Sequence, residues 1–513
     1  METKQGEMET VASGLPLPIP EGPFFDVLSR LSIKDLHRST ALSREWRDVF
    51  INFPDSRKNL PQTLQGFFYI GYDYKRHVHG GGNDGDSDDE GDGACGDDDG
   101  GDGSGTDEDG DGSGNSNGNS SGGSDRDEDE DGSGNRDGSS YYGGHVGNRD
   151  DGGNYGFHFL DLLAKSMPVP DDTDTELSFV PDHVGIMDLL CSCNGLLLFG
   201  CTEGSENYHS LGYIVCNPAT KQWVTVPSSG WVVPDDEERD EEFESTFLFF
   251  DPAVPSRYLL IQFWHDEDGF LNFSGDEGVV HIYSSETGEW SNRSSEWKQF
   301  AKEGEQDNRY LVTVKSRLGS CFLNGMLHFL VERSRPNKND DVLIVAVDGE
   351  GRICRVIHWK LDMFTEAVFI GQSQGRLHCI SAYFIDKDKD WRDRMIMHVH
   401  VLQDYDAENW IKKFGIWGGE LSGREECRIE DYEVVAIHPD GNFVYFVDHR
   451  KGELIQHHMS RQYEKVLRLC TLGHNYRAVT PYVPCFSRSS ALETDEALQK
   501  TLCEFDLDGL WSR

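Results

Sequence analysis

Positive charge is what this sequence has least of. Its 513 residues carry 47 Lys and Arg against 92 Asp and Glu, a formal net charge of −45 at pH 7. A phosphate-backbone surface needs clustered Lys and Arg, and no such cluster stands out along the chain, so nucleic acid is excluded as a partner. Long hydrophobic runs are missing too. None approaches the roughly 18 residues that a membrane span needs. Residues 1–10 are polar and acidic, so no secretory leader is expected. The 12 Cys have no regular spacing and sit mostly in apolar runs, as at Cys216, Cys321 and Cys379. Such usage reads as reduced thiols in a soluble protein of the cytoplasm, the nucleus or both.

Catalytic and metal-binding signatures are equally sparse. There is no phosphate-cradling glycine loop, no Gly-x-Ser-x-Gly elbow and no His-Glu-x-x-His. Cys191-x-Cys193 is too tightly spaced for zinc and lacks a second pair, so it reads as an inert pair on a strand. His457-His458 has no ligand set beside it in the sequence. Asp107-x-Asp109-x-Asp111-Gly112 begins like a calcium loop, but Gly118 stands where a bidentate Glu is required. Asp127-x-Asp129-x-Asp131-Gly132 fails in the same way at Gly138. No catalytic residue, metal site or cofactor is expected.

What is present falls into segments. Residues 1–18 are a polar, then Pro-rich, lead-in. Residues 19–58 hold three short helical patterns. Phe25, Leu28 and Leu31 carry the first; Ser32 caps a second with Ile33 and Leu36; Ser43 caps a third with Trp46, Val49 and Phe50. Pro54 ends it. A unit this small needs a partner surface to be stable. Residues 59–79 are a linker and a first strand, with Gln65-Gly66-Phe67-Phe68-Tyr69 as the strand.

Residues 80–153 carry 23 Asp and Glu against three Arg, and Gly is their commonest residue. So little apolar surface cannot offset the entropy of ordering, and this acidic insert is expected to be disordered. A second acidic run, residues 235–242, reads as an exposed loop.

Residues 154–490 read as many short strands, followed by a tail at 491–513. Two turn signatures recur. One is a polar residue plus Gly opening an apolar strand: Asn194-Gly195, Asn324-Gly325, Gln374-Gly375 and Asp440-Gly441. The other is a turn-former six positions before a large apolar residue: Asn217 and Trp223, Ser284 and Trp290, Asp404 and Trp410, with weaker copies at Asp348 and Asp448. The two alternate. Two linked hairpins make a four-stranded unit of roughly 40–50 residues, the size of a propeller blade, and six to eight would fit. The fold class is therefore mainly β, a propeller behind a small helical module. A pair of β-sandwiches is the alternative.

Residues 19–31 and 33–47 resemble the F-box, most clearly at Leu28-Ser29-Arg30-Leu31 and Ser43-x-x-Trp46-Arg47. The linker Asn59-Leu60-Pro61 through Tyr69 is similar to one found in a large group of grass F-box proteins. Ser192-Cys193-Asn194-Gly195-Leu196-Leu197-Leu198 and Val215-Cys216-Asn217-Pro218 through Trp223 resemble the opening of the F-box-associated β domain. The resemblance implies a substrate-recognition subunit of a Skp1–cullin–F-box ubiquitin ligase that does no chemistry of its own. Its F-box would dock on a Skp1-like adaptor and through it a cullin, while the β domain holds an unidentified protein substrate. Carried over, the adaptor contacts are Ile19, Pro20, Leu28, Leu31, Ile33, Leu36, Leu42 and Trp46, large apolar anchors in a groove. Gly22, Pro23 and Ser32 depart from the pattern, as do Ser39, Thr40 and Ala41, and loosen that apolar surface. The alternative is an interaction platform outside the ligase, using the β domain and the acidic tract.

Overall fold

Leu196-Leu197-Leu198-Phe199 is apolar at every position, yet its residues pack in two directions. Leu197 and Phe199 join a cluster with Phe68, Trp223 and Tyr482. Leu196 and Leu198 join another with Leu248, Phe250 and Leu260. A strand buried on both faces has no polar side to alternate with. The same division holds along each second strand, and it follows from an architecture in which every sheet is sandwiched between two others.

The structure, a computed structural model, describes residues 63–72, 155–162, 175–180, 186–202, 209–230, 244–266, 270–271, 279–300, 311–334, 341–361, 365–384, 395–422, 431–459, 467–472, 476 and 478–493. Their strands form six antiparallel sheets, or blades. Blade 1 is β3 to β6: Ile186–Cys193, Leu196–Thr202, Gly212–Asn217 and Gln222–Val226. Blade 2 is β7 to β10: Glu244–Phe250, Tyr258–Trp264, Val280–Ser284 and Glu289–Asn292. Blade 3 has its inner strand broken into β11 (Leu311–Val314) and β12 (Ser320–Leu323), then β13 (Met326–Ser334), β14 (Asp341–Val347) and β15 (Ile353–His358). Blade 4 is β16 to β19: Thr365–Ser373, Arg376–Phe384, Met395–Asp404 and Asn409–Trp417. Blade 5 is β20 to β23: Tyr432–Ile437, Phe443–Asp448, Glu453–His458 and Leu467–Thr471. Blade 6 takes β24 (Ala478–Tyr482) as its inner strand, then β1 (Gly66–Tyr72) and β2 (Tyr155–Asp161).

Six apolar clusters fill the six junctions between neighbouring blades, which a pair of sandwiches would not produce. The ring closes where the first strand meets the last: Gly66 pairs with Tyr482 and Ile70 with Ala478. The inner strands of blades 1 to 5 begin at residues 186, 244, 311, 365 and 432. The spacing exceeds the expected 40–50 because connections between strands are long on one side of the ring.

Both turn signatures lie on the other side, here the short-turn face. Asn194-Gly195, Asn324-Gly325 and Gln374-Gly375 join first to second strands with positive φ at both residues, as a two-residue hairpin demands. Asn217, Ser284, Asp348 and Asp404 start the turn from third to fourth strand. Each accepts backbone N–H bonds from the residues just ahead, such as Ala219 to Asn217 Oδ1 at 3.0 Å and Ala407 to Asp404 Oδ1 at 2.9 Å. Trp223 is buried, whereas Trp290 and Trp410 are only partly so.

Blade 5 departs from the pattern. Its Asp448 turn joins the second strand to the third, not the third to the fourth, and so opens on the opposite face. An Asx turn is local chemistry and does not report its level in the blade. Gly441 is also absent from the positive-φ residues, because His438 Nδ1 accepts from the N–H groups of Asp440 and Gly441 and makes a wider turn.

Turn side chains also clasp adjacent blades on this face. Asn194 Nδ2 donates to Phe250 O at 2.7 Å, and Ser373 Oγ to Gly441 O at 3.1 Å. Thr63 Oγ1, where the chain enters blade 6, donates to Asp440 Oδ2 at 2.7 Å. Beyond β24 the chain crosses beneath blades 1 and 2. Asn217 Nδ2 donates to Cys485 O at 2.9 Å, and Gln222 and Ser489 bond reciprocally at 3.1 Å. Leu492 is buried in the junction of those two blades. Gly195 makes room for this strap: at φ +93° a Cβ would fall 2.4 Å from Cys485 Cβ and 2.6 Å from its backbone N.

Candidate interaction faces

The eight adaptor-contact candidates, Ile19 to Trp46, lie outside the described residues, as do the acidic insert and the run 235–242. Their points of attachment are described. Thr63 enters on the short-turn face. β1 and β2, which flank the insert, end together at the Tyr72–Tyr155 pair on the opposite, long-loop face. β6 ends and β7 begins on the long-loop face too, and the run 235–242 falls between them in the sequence. The strand ends that flank both acidic segments thus lie on one face of the ring, and Thr63 lies on the other.

The described part of the long-loop face holds a buried polar network between blades 1 and 2. Glu244, the first residue of β7, is buried among partners. Its Oε1 accepts from Tyr213 OH at 2.8 Å and from His209 Nδ1; Gln262 Nε2 and the His209 backbone N–H reach Oε2 at 3.5 Å. Gln262 also donates to Tyr213 OH at 2.5 Å, and Trp264 Nε1 to Gln262 Oε1 at 2.9 Å. Burial, reinforced by the Glu244 charge, pushes the Tyr213 hydroxyl well above its usual pKa and keeps it a donor. Both carboxylate oxygens are engaged, so the network holds the loop end at His209 against blade 2 rather than offering a base. In the sequence Glu244 cannot be told from the acidic run beside it; only burial separates them.

A second network sits at the same end of blade 5. His449 stacks on Tyr476, with centroids 5.9 Å apart, and bonds its hydroxyl. Arg450 pairs with Asp431 at 3.3 Å and Lys451 with Asp448 at 3.3 Å. Burial lowers the His449 imidazole, so the ring serves as a neutral acceptor or donor. Within blade 3, Lys315 pairs with Glu332 at 2.7 Å.

Cys193 is buried on β3 and Cys191 half-buried beside it, with burial pushing the thiols up to about 12 and about 11, as an inert pair requires. His457 is buried with Glu420 at 3.6 Å. Among the described residues no group of three or more His, Cys, Asp or Glu is placed to hold a metal ion. Nor is any described helix long and apolar enough to cross a membrane.

Six sheets packed face to face, closed by pairing a first strand with a last, define a six-bladed β-propeller whose described polar groups build loops and junctions. The sequence agrees at a finer level: residues 177–482 match the family described as F-box protein At3g26010-like, beta-propeller, and the chain belongs to it. It is 29% identical over 111 residues to F-box protein At5g07610 of Arabidopsis thaliana, a match of 21% of this chain and 24% of that protein. It therefore spans about a quarter of that relative's length. Among solved structures it resembles an α-L-arabinanase of Penicillium chrysogenum (11% identity, 58% of this chain and 82% of that one, TM-score 0.33). It also resembles a chain of a nidogen/laminin complex (9% identity, 64% and 95%, TM-score 0.30). These structural likenesses are too slight to bear on function.

Proposed function

We propose that this chain, a grass-type member of its family, is the substrate-recognition subunit of a Skp1–cullin–F-box ubiquitin ligase of the cytoplasm or nucleus. The observation that carries the reading is the fusion of two parts. An F-box-like segment ends at about residue 58, and the ring wall begins at Gly66 in a propeller of an F-box protein family. The residues between reach at most roughly 25 Å when extended, so the adaptor module stays tethered near the short-turn face. Ile19, Pro20, Leu28, Leu31, Ile33, Leu36, Leu42 and Trp46 anchor a Skp1-like adaptor. The long-loop face is left for substrate. The subunit makes no bond itself; it raises the effective concentration of substrate near a ubiquitin-charged enzyme.

Co-purification with a Skp1-like adaptor tests this directly. Wild type is expected to retain the adaptor, and Trp46→Ala and Leu28→Asp to lose it while the propeller melts unchanged. A wild-type chain that fails to retain adaptor, where another F-box protein does, removes the ligase reading. It would leave the interaction platform, which the departures at Gly22 and Pro23 favour.

A further inference from the structure

One position on the short-turn face departs from the Asn-Gly signature in a way that ring closure does not require. Gln374 occupies the first turn residue of blade 4 at φ +53°, a conformation that favours Asn or Gly. Its longer side chain crosses to blade 5, where Nε2 donates to Asn442 Oδ1 at 3.2 Å. Lys413, on the outer strand of blade 4, donates to the same oxygen at 3.3 Å. Lys413 is the extra residue of a β-bulge: Val399 pairs with Phe414 and His400 with Lys412, leaving it between them. Bulges re-aim side chains. Two local irregularities on separate strands thus bring their donors to one oxygen atom.

Arg376 follows two residues after Gln374. Next to burial, its charge is the cause that lowers the Lys413 ammonium, so the two cations lie within each other's field. Among the described residues neither forms an ion pair. Asp440, in the same turn as Asn442, gives its carboxylate to Thr63. Beneath them His378 is 2% exposed; its Nδ1 bonds Arg376 O at 3.0 Å, and its Nε2 has no hydrogen-bond partner. In a chain of net charge −45, one cation and an amide converge on a neutral acceptor, with a second cation close to the first.

We propose that Gln374, Arg376, Lys413 and Asn442 form a binding site for a phosphate monoester, at the junction of blades 4 and 5 on the short-turn face. A monoester carries about −1.5 to −2 charges at neutral pH, matching two unpaired cations, whereas a carboxylate would leave one uncompensated. Its oxygens replace Asn442 Oδ1 as acceptor for Gln374 and Lys413, and the guanidinium supplies a planar fork. The ester is either a phosphorylated side chain of a partner or a small phosphorylated solute. The site does not rest on the adaptor reading.

The test uses the full chain and three probes: inorganic phosphate, a phosphoserine peptide and its unphosphorylated twin, titrated by calorimetry. Wild type is expected to bind a phosphorylated probe saturably and to ignore the unphosphorylated peptide. Arg376→Gln with Lys413→Gln should weaken that binding about tenfold or more. Lys221→Gln, which removes an exposed charge from blade 1, should leave it unchanged. A preference for the phosphopeptide over inorganic phosphate assigns the ester to a partner; equal binding assigns it to a solute. No saturable binding of either phosphorylated probe by wild type, or equal losses in the double variant and Lys221→Gln, overturns the proposal. Matching thermal melts of all variants exclude misfolding as the cause of a loss.

Discussion

The two faces of the ring are built by different rules. On the short-turn face nearly every connection is a hairpin of defined geometry, and side chains of the turns clasp the next blade. On the long-loop face the connections vary in length, and the chain's largest insertion and its second acidic run both attach there. The first face tolerates little because its turns are also its junctions. The second accepts insertion because paired strand ends, such as Tyr72 and Tyr155, meet whether or not residues intervene.

The sharpest way to break this contrast is to remove the strap. A stop after Tyr482 deprives Asn217, Gln222 and Pro255 of partners and uncovers the pocket of Leu492. Unfolding in urea should show a loss of about 5 kcal/mol or more. Gly195→Ala comes next: it adds a Cβ at positive φ against the strap and should cost about 3 kcal/mol. Gly230→Ala, at φ +78° with nothing within 4 Å, should cost only about 1 kcal/mol by the same measurement. Equal costs would show that the backbone conformation, not the strap, makes Gly195 sensitive.

Acid should act on the short-turn face as well. His328 and His378 occupy equivalent places after their turns, and burial holds both imidazoles down at about 4. A histidine whose folded pKa is depressed binds fewer protons in the native state, so stability is full above about 6.5 and falls as pH drops toward 4. The expected loss is about 1–3 kcal/mol per histidine by pH 4. His378→Leu, the residue blade 1 carries at Leu198, should flatten part of that slope in melts between pH 7 and 4. The smallest effect belongs to the long-loop face. Replacing residues 80–153 with a short Asn-Gly link should change stability by less than about 1 kcal/mol. A larger loss would mean that the insert packs on the ring.

The same contrast explains what could be read in advance. Asn217, Asp348 and Asp404 announce their turns because the bonds they make run to residues two or three positions ahead. Asp448 makes the same bonds but at another level of its blade, which no local pattern encodes. Blade 6 was out of reach, since Gly66 and Tyr482 have no sequence relation until the ring closes. The polar network at Glu244 and the cationic corner at Arg376 and Lys413 were invisible for a similar reason. The one hides beside an acidic run, and the other joins residues from different hairpins through a bulge.

Closure of the ring by its first and last strands also sets a timetable. At about 5–20 residues per second, synthesis of the stretch from β1 to β24 takes roughly 20–80 s. For that interval β1 has β2 on one edge but no partner on the other, and the blades already made cannot form a circle. The N-terminal segment proposed to bind the adaptor has by then long left the ribosome. On the proposed function, the chain could be captured by its adaptor before its recognition surface exists, and one that stalls short of residue 482 would join that assembly unable to choose a substrate.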